Sequence, residues 1–142
     1  MEKHLDSKPA GQKILIVDDE FGVLEVLEFI LSDLGYSVVT ALNGRDALAR
    51  VKEAKPALII LDYMMPIMDG AAVLEELTAN AEYRSIPVIV TSALPEETVI
   101  KRCTGYSLFL RKPYKTEPLL NAIEGLLTKH EMTSNTDSKP KD

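Results

Sequence analysis

The acids Asp18, Asp19 and Glu20 in "VDDE", Asp62 in "LIILDYMMPIMDG", the Thr91–Ser92 pair in "PVIVTSA" and Lys112 in "LFLRKPY" share one property: each follows a short apolar run. If those runs end at one place, carboxylates, a hydroxyl and an amine meet there. Crowded carboxylates repel and raise one another's pKa, so the cluster calls for a cation that the sequence does not supply. A hard divalent ion fits, because Mg²⁺ usually takes one or two protein carboxylates with waters and phosphate oxygens. With no histidine or cysteine nearby, the donor set suits Mg²⁺ or Mn²⁺ rather than zinc. A carboxylate beside such an ion can attack phosphorus and form an aspartyl-phosphate. Lys112 can then neutralise one phosphate oxygen while a hydroxyl donates a hydrogen bond to another.

The elements that must position these groups follow from apolar periodicity. "KILIVDDE" leads into a helix over Phe21 to Leu34, with Val23, Val26, Leu27, Ile30, Leu31 and Leu34 expected on its buried face and Gly35 ending it. "YSVVTA" precedes a helix across Arg45 to Lys52, "ALIILD" one from about Ala71 to Asn80, and "PVIVTSA" one around Glu96 to Arg102. "SLFLRKP" precedes the last helix, expected from about Glu117 to Lys129 with Thr116 as N-cap and Pro118 in the first turn. Five such βα units make a parallel sheet covered on both faces, and the near-continuous apolar strands "ILIV" and "LIIL" agree. Ligands of open α/β sheets bind at the carboxyl ends of the strands, where the acids, hydroxyls and lysine fall.

Bulk properties set the limits. The 142 residues predict one domain with a sizeable core, and 22 acidic against 16 basic residues leave a net charge of -6 and no basic footprint for nucleic acid. One cysteine, Cys103, excludes an internal disulfide framework. With no long apolar run, the sequence predicts a cytoplasmic chain that does not insert into a membrane. Residues 1–12 and 130–142 are polar and lack periodicity, and are expected to be flexible tails around a domain of residues 13–129.

Plainer roles compete for several residues. Asp18 and Asp19 could serve only as caps for the first helix, although Asp62 and Lys112 at neighbouring strand ends argue for more. Asp69 with Gly70 reads as turn and cap chemistry. Met64, Met65 and Met68 read as loop packing, since thioethers prefer softer ions. Cys103 reads as an inert, half-buried helix residue, and His4 and His130 lie in or beside the polar ends.

Together "VDDE", "DYMMPIMDG", "PVIVTSA" and "LRKPY", in order and each at a strand end, resemble the receiver domain of two-component response regulators over about residues 12–129. The resemblance implies a (βα)₅ flavodoxin-like sheet of order 2-1-3-4-5, an arrangement known for this fold. It implies Asp62 as phosphoacceptor, Asp18 and Asp19 as the acidic pair positioning Mg²⁺, a backbone carbonyl from Met64, and Lys112 followed by a cis bond to Pro113. For the hydroxyl it points to Ser92, five residues after Pro87 and before Ala93, with Thr91 as the alternative. Phe109, three before Lys112, falls at the aromatic switch position, and Met64 and Leu94 fall where side chains gate the attacking water. The fourth helix, fifth strand and fifth helix, including Lys101, Arg111 and Tyr114, would form the partner face. From Ser92 to Gly105 the chain is about two residues shorter than the usual pattern, so a short or displaced fourth helix is expected.

The implied function is a stand-alone switch of chemotaxis or phosphorelay type. It would take a phosphoryl group from a histidine kinase or histidine phosphotransfer protein and signal to a downstream protein, catalysing only its own phosphorylation and dephosphorylation. Three rival classes remain. A haloacid-dehalogenase-type phosphatase would want a D-x-D pattern where "VDDE" offers adjacent carboxylates. A flavodoxin-like cofactor binder would want a phosphate-cradling loop where "DDEFG" repels phosphate. A degenerate receiver acting as an interaction scaffold would lack an acid or the lysine, and here all are present.

Overall fold

The structure, a computed structural model, describes residues 11–138, with side chains as far as Lys129. Strands β1 (Lys13–Val17), β2 (Ser37–Ala41), β3 (Leu58–Asp62), β4 (Val88–Ser92) and β5 (Leu108–Arg111) alternate with helices α1 (Phe21–Asp33), α2 (Gly44–Ala54), α3 (Gly70–Ala79), α4 (Glu96–Val99) and α5 (Thr116–Ser138). Every strand pair is parallel, in the order β2-β1-β3-β4-β5, the doubly wound arrangement expected. Burial explains the order: β3 and β4 are buried along their whole length and β1 nearly so, whereas β2 and β5 at the edges are mostly half-buried.

Side-chain alternation divides the core in two. Leu15, Val17, Ile59, Leu61, Val88 and Val90 pack on the face covered by α2, α3 and α4, with Ala47, Val51, Val73, Leu74, Leu77 and Val99 opposite them. Ile14, Ile16, Leu58, Ile60 and Ile89 pack on the other face against Leu24, Leu27 and Leu31 of α1 and Leu119, Ile123 and Leu127 of α5. Each large side chain so buried contributes about 1.5–3 kcal/mol relative to exposure, which offsets the cost of holding carboxylates at the sheet's rim.

Three details differ from the sequence expectation. In α1 the buried stripe is Leu24, Leu27 and Leu31 while Val26 is 58% exposed. The helix carries apolar residues on nearly every side, so periodicity alone did not fix which side meets the sheet. Helix α4 stops at Val99, short of Arg102; the β-branched run Thr98-Val99-Ile100 is a poor helix former. Helix α5 starts at Thr116, placing that residue in the first turn, and continues past Lys129 to Ser138. Neither glycine nor proline interrupts residues 126–139, so loss of the apolar stripe does not end the helix. The other expected tail residues, 1–10 and 139–142, with His4, lie outside the described residues, as does the side chain of His130. Among the described residues, no helix is long and apolar enough to cross a membrane.

Two glycines shape the approach to the strand ends. Gly35 follows α1 with φ of 101°, the left-handed conformation that lets the chain turn into β2. Gly70 starts α3 pressed against β3: its N–H donates to the Tyr63 carbonyl at 2.8 Å. A Cβ there would stand 2.9 Å from both the Asp62 carbonyl oxygen and Tyr63 Cα. Those are backbone atoms and cannot step aside cheaply. Gly70→Ala should therefore cost about 1–3 kcal/mol in urea unfolding, as overpacking does. Gly125→Ala, in α5 with nothing within 4 Å of the added carbon, should gain about 0.5–1 kcal/mol.

Candidate phosphorylation site at the strand ends

The carboxyl ends of β1, β3, β4 and β5 bring the sequence-selected groups together. Asp18 directly follows β1, its N–H donating to the Ala41 carbonyl at 3.1 Å, and is buried like Asp62, the last residue of β3. Asp19 stands exposed beside them, and one carboxylate oxygen from each of the three lies within 4.8 Å of the others. Lys112 is the counter-charge: its Nζ lies 2.9 Å from Asp18 Oδ2 and 3.4 Å from Asp62 Oδ1. Three carboxylates against one ammonium leave an excess of two negative charges, the charge of one divalent cation. The all-oxygen donor set and its spacing fit such an ion.

The electrostatics single out Asp62. Burial first, then the neighbouring Asp18 charge, pushes its carboxyl up to about 6 despite the opposing pull of Lys112. Burial disfavours the charged Lys112, yet its bond to Asp18 and the charge of Asp62 win, holding the ammonium above its ordinary value. Asp18 does make a local helix-start contact, Glu20 N–H to Asp18 Oδ1 at 2.9 Å. Its other oxygen takes the lysine, so capping does not exhaust its role.

The chain after β5 is guided over the site by Lys112 N–H donating to the Ser92 carbonyl at 2.8 Å, and the Lys112–Pro113 bond is cis. Both hydroxyl candidates are buried, on opposite faces. Thr91 is the register partner of Asp62 and by alternation shares the α1–α5 face with Ile89. Ser92 shares the other face with Val90, whose partner on β5 is Phe109. Ser92 Oγ accepts the Leu94 N–H at 3.0 Å. Phe109 is half-buried against the α2–α4 cluster.

The β3–α3 loop walls the site. Asp69 caps α3 by accepting the Ala72 N–H at 2.9 Å, the cap role expected of it. Met65 and Met68 pack against the core as expected. Met64 does not: it is 57% exposed and, with Leu94 and Asp19, lines a cleft of about 480 Å³ beside the acids. Ile67 holds φ of 70° while 70% exposed, a strained conformation for a β-branched residue costing about 1–3 kcal/mol. Cys103 is fully buried in the turn after α4 rather than half-buried in a helix, and burial first, with Asp69, pushes its thiol up to about 11. Lys101 and Arg111 are exposed, whereas Tyr114 is half-buried against the α1–α5 cluster.

One residue that sequence reasoning passed over stands out here. Tyr106 donates its hydroxyl to Glu96 Oε2 at 2.8 Å and packs its ring 6.4 Å from that of Phe109. It lies outside any strand or helix, so periodicity gave it no place; only its position three residues before Phe109 could have drawn notice.

Comparison with known proteins agrees with this geometry. The family model described as the response regulator receiver domain matches residues 14–124. A probable transcriptional regulator, ycf27, of Porphyridium aerugineum is 35% identical over 91% of this chain and 53% of its own length; the chain thus spans about half of such relatives. Protein PilG of Pseudomonas aeruginosa is 32% identical over 84% of this chain and 90% of its own. The receiver domain of the sensor histidine kinase PA1611 of the same species, solved with a magnesium ion coordinated in its active-site cleft, superposes with a TM-score of 0.78 at 28% identity, covering 84% of this chain and 99% of that one. With a matching fold, matching motifs and a match over most of its length, the chain belongs to the response regulator receiver domain family of two-component signalling.

Proposed function

We propose that Asp62 accepts a phosphoryl group from the phosphohistidine of a histidine kinase or histidine phosphotransfer protein, and that the phosphorylated chain signals by contact with a downstream protein. The observation that carries this reading is the Lys112 ammonium straddling Asp18 and Asp62 beside a third carboxylate. In the transfer, an Asp62 carboxylate oxygen attacks phosphorus and the phosphorus–nitrogen bond breaks, its electron pair staying on the imidazole nitrogen. Lys112 pairs with one phosphoryl oxygen, and the Ser92 hydroxyl donates to a second. Asp18, Asp19, Asp62 and the Met64 carbonyl would hold Mg²⁺, with Mn²⁺ as a substitute. When bound, the ion would neutralise charge building on the phosphoryl oxygens. The chain's only chemistry on this reading is its own phosphorylation and dephosphorylation. We place it in the cytoplasm.

The assignment of Asp62 has a direct test. Incubation with acetyl phosphate and Mg²⁺ should label the wild type at Asp62, and Asp62→Asn should abolish labelling with circular dichroism unchanged. Label found on another residue, with Asp62 unmodified, would sink the reading.

Stability should respond to both cation and pH. An ion that binds only the assembled site stabilises it by about 2.7 kcal/mol at 100 times its Kd, so millimolar Mg²⁺ should raise the melting temperature. In metal-free protein, burial and the Asp18 charge hold the folded-state pKa of Asp62 near 6, above the ordinary aspartate value of 3.8. The folded state therefore binds the extra proton between those values, and this group's contribution to stability falls as pH rises through the window. Above it, the charged Asp62 costs on the order of 2–3 kcal/mol. Asp62→Asn should thus gain on the wild type between pH 4 and pH 7 in chelator; parallel pH profiles would contradict this.

Water must reach the phosphoryl group past Met64 and Leu94, which line the cleft beside Asp19. Both are apolar and cannot orient it, so the acyl phosphate should decay slowly. Met64→Asn and Leu94→Glu should each speed its loss at least several-fold in a radiolabel chase, and an unchanged decay rate would remove these two side chains as the gate.

A further inference from the structure

The segment that must carry the signal away from Ser92, residues 93–96, is tied at every position, Pro95 through its carbonyl, which accepts the Thr98 N–H at 3.0 Å. Arg111 Nε donates to the Ala93 carbonyl at 3.1 Å, Leu94 N–H donates to Ser92 Oγ at 3.0 Å, and the Tyr106 hydroxyl donates to Glu96 Oε2 at 2.8 Å. Helix α4, which begins at Glu96, has one turn and no side-chain cap from Pro95. So short a helix does not hold its own position; Val99 and the following Cys103, both fully buried, anchor its far end, and the Tyr106 bond anchors its start. The same tyrosine ring, 6.4 Å from that of Phe109 at an interplanar angle of 50°, packs with Leu94 and Phe109 against the α2–α4 cluster.

We propose that Tyr106 is a positioning residue for the phosphorylation switch, its hydrogen bond to Glu96 latching α4 and Phe109 in the unphosphorylated arrangement. The inference rests on the reading of Asp62 as phosphoacceptor and adds a residue to it. A phosphoryl group on Asp62 draws the Ser92 hydroxyl toward it, and Leu94, bonded to that hydroxyl, is drawn along. Residues 93–96 must follow or break their ties. Glu96 lies farthest along the chain from Ser92, and its tie to Tyr106 is exposed to water, so competing water can replace it. The Tyr106 ring packs beside Phe109, so a shift of either ring bears on the other. A contact made only in the unphosphorylated arrangement weakens, by linkage, the binding of anything that favours the other. Removing the latch should therefore tighten binding of a phosphoryl mimic, the opposite of what loss of a merely structural bond would do.

The test measures the affinity of the whole chain for fluoroberyllate with Mg²⁺, alongside urea stability and the ring resonances of Phe109. Tyr106→Phe keeps the ring and deletes the donor; Glu96→Ala deletes the acceptor from the other side. Each should tighten fluoroberyllate binding about 2- to 10-fold, the worth of one exposed hydrogen bond, and the double variant should gain no more than either single one. In a Ser92→Ala background the gain should vanish. Folded single variants with unchanged or weaker affinity would overturn the latch, as would an equal gain with Ser92→Ala, which would show that Tyr106 does not act through Ser92. If Tyr106→Phe loses stability, Glu96→Ala decides alone. Failure of the wild type itself to bind fluoroberyllate would instead overturn the phosphoacceptor reading and the latch with it.

Discussion

One ammonium makes the rim of this sheet possible. Asp18 and Asp62 are 3% and 5% exposed and sit at the ends of adjacent strands. Two like charges about 4 Å apart, where the effective dielectric constant is near 20, repel by about 4 kcal/mol. Lys112 lies within reach of both and offsets much of that. The demand on the fold is severe, because β5 lies two strands from β3, about 10 Å away. A long side chain is needed, and so is a chain that leans inward after the strand ends, as the Lys112 bond to the Ser92 carbonyl makes it do. Sheet order, the buried β3 and β4 between, and the turn after β5 all serve to put that nitrogen between two carboxylates.

The same cluster is incompletely balanced, and the imbalance is its use. A site neutral at rest would have no reason to attract a cation. Asp62 carries the conflict most plainly, since burial and Asp18 raise its pKa while Lys112 lowers it. The charges at the strand ends cost stability, and the two apolar clusters behind them supply the excess needed to keep the chain folded.

Much of this was legible in the sequence, for a physical reason. Strands buried on both faces must be nearly continuous apolar runs, so "ILIV" and "LIIL" declared their depth, and the polar residue ending each run declared the site. What was not legible depended on packing partners. Helix α1 is apolar almost all round, and only the sheet chose Leu24 over Val26. The depth of Cys103 and the pairing of Tyr106 with Glu96 are settled by contacts between segments that no local period encodes. Ile67 in a left-handed conformation sits at the centre of a tight turn, where the Met68 N–H donates to the Pro66 carbonyl at 2.7 Å, against the residue's own preference.

The alternation of side chains across the sheet reaches beyond the core. Counted along their strands, Asp18, Asp62, Thr91 and Lys112 continue the face that α1 and α5 cover, whereas Ser92, Phe109 and Arg111 continue the face covered by α2, α3 and α4. The sheet thus separates Asp18, Asp62 and Lys112 from the aromatic pair, and the two sides adjoin at its rim, where Asp19 shares a cleft with Met64 and Leu94 and Ser92 stands at the margin of β4. A change in packing under one face therefore reaches the groups of the other only through the strands they share and through that rim.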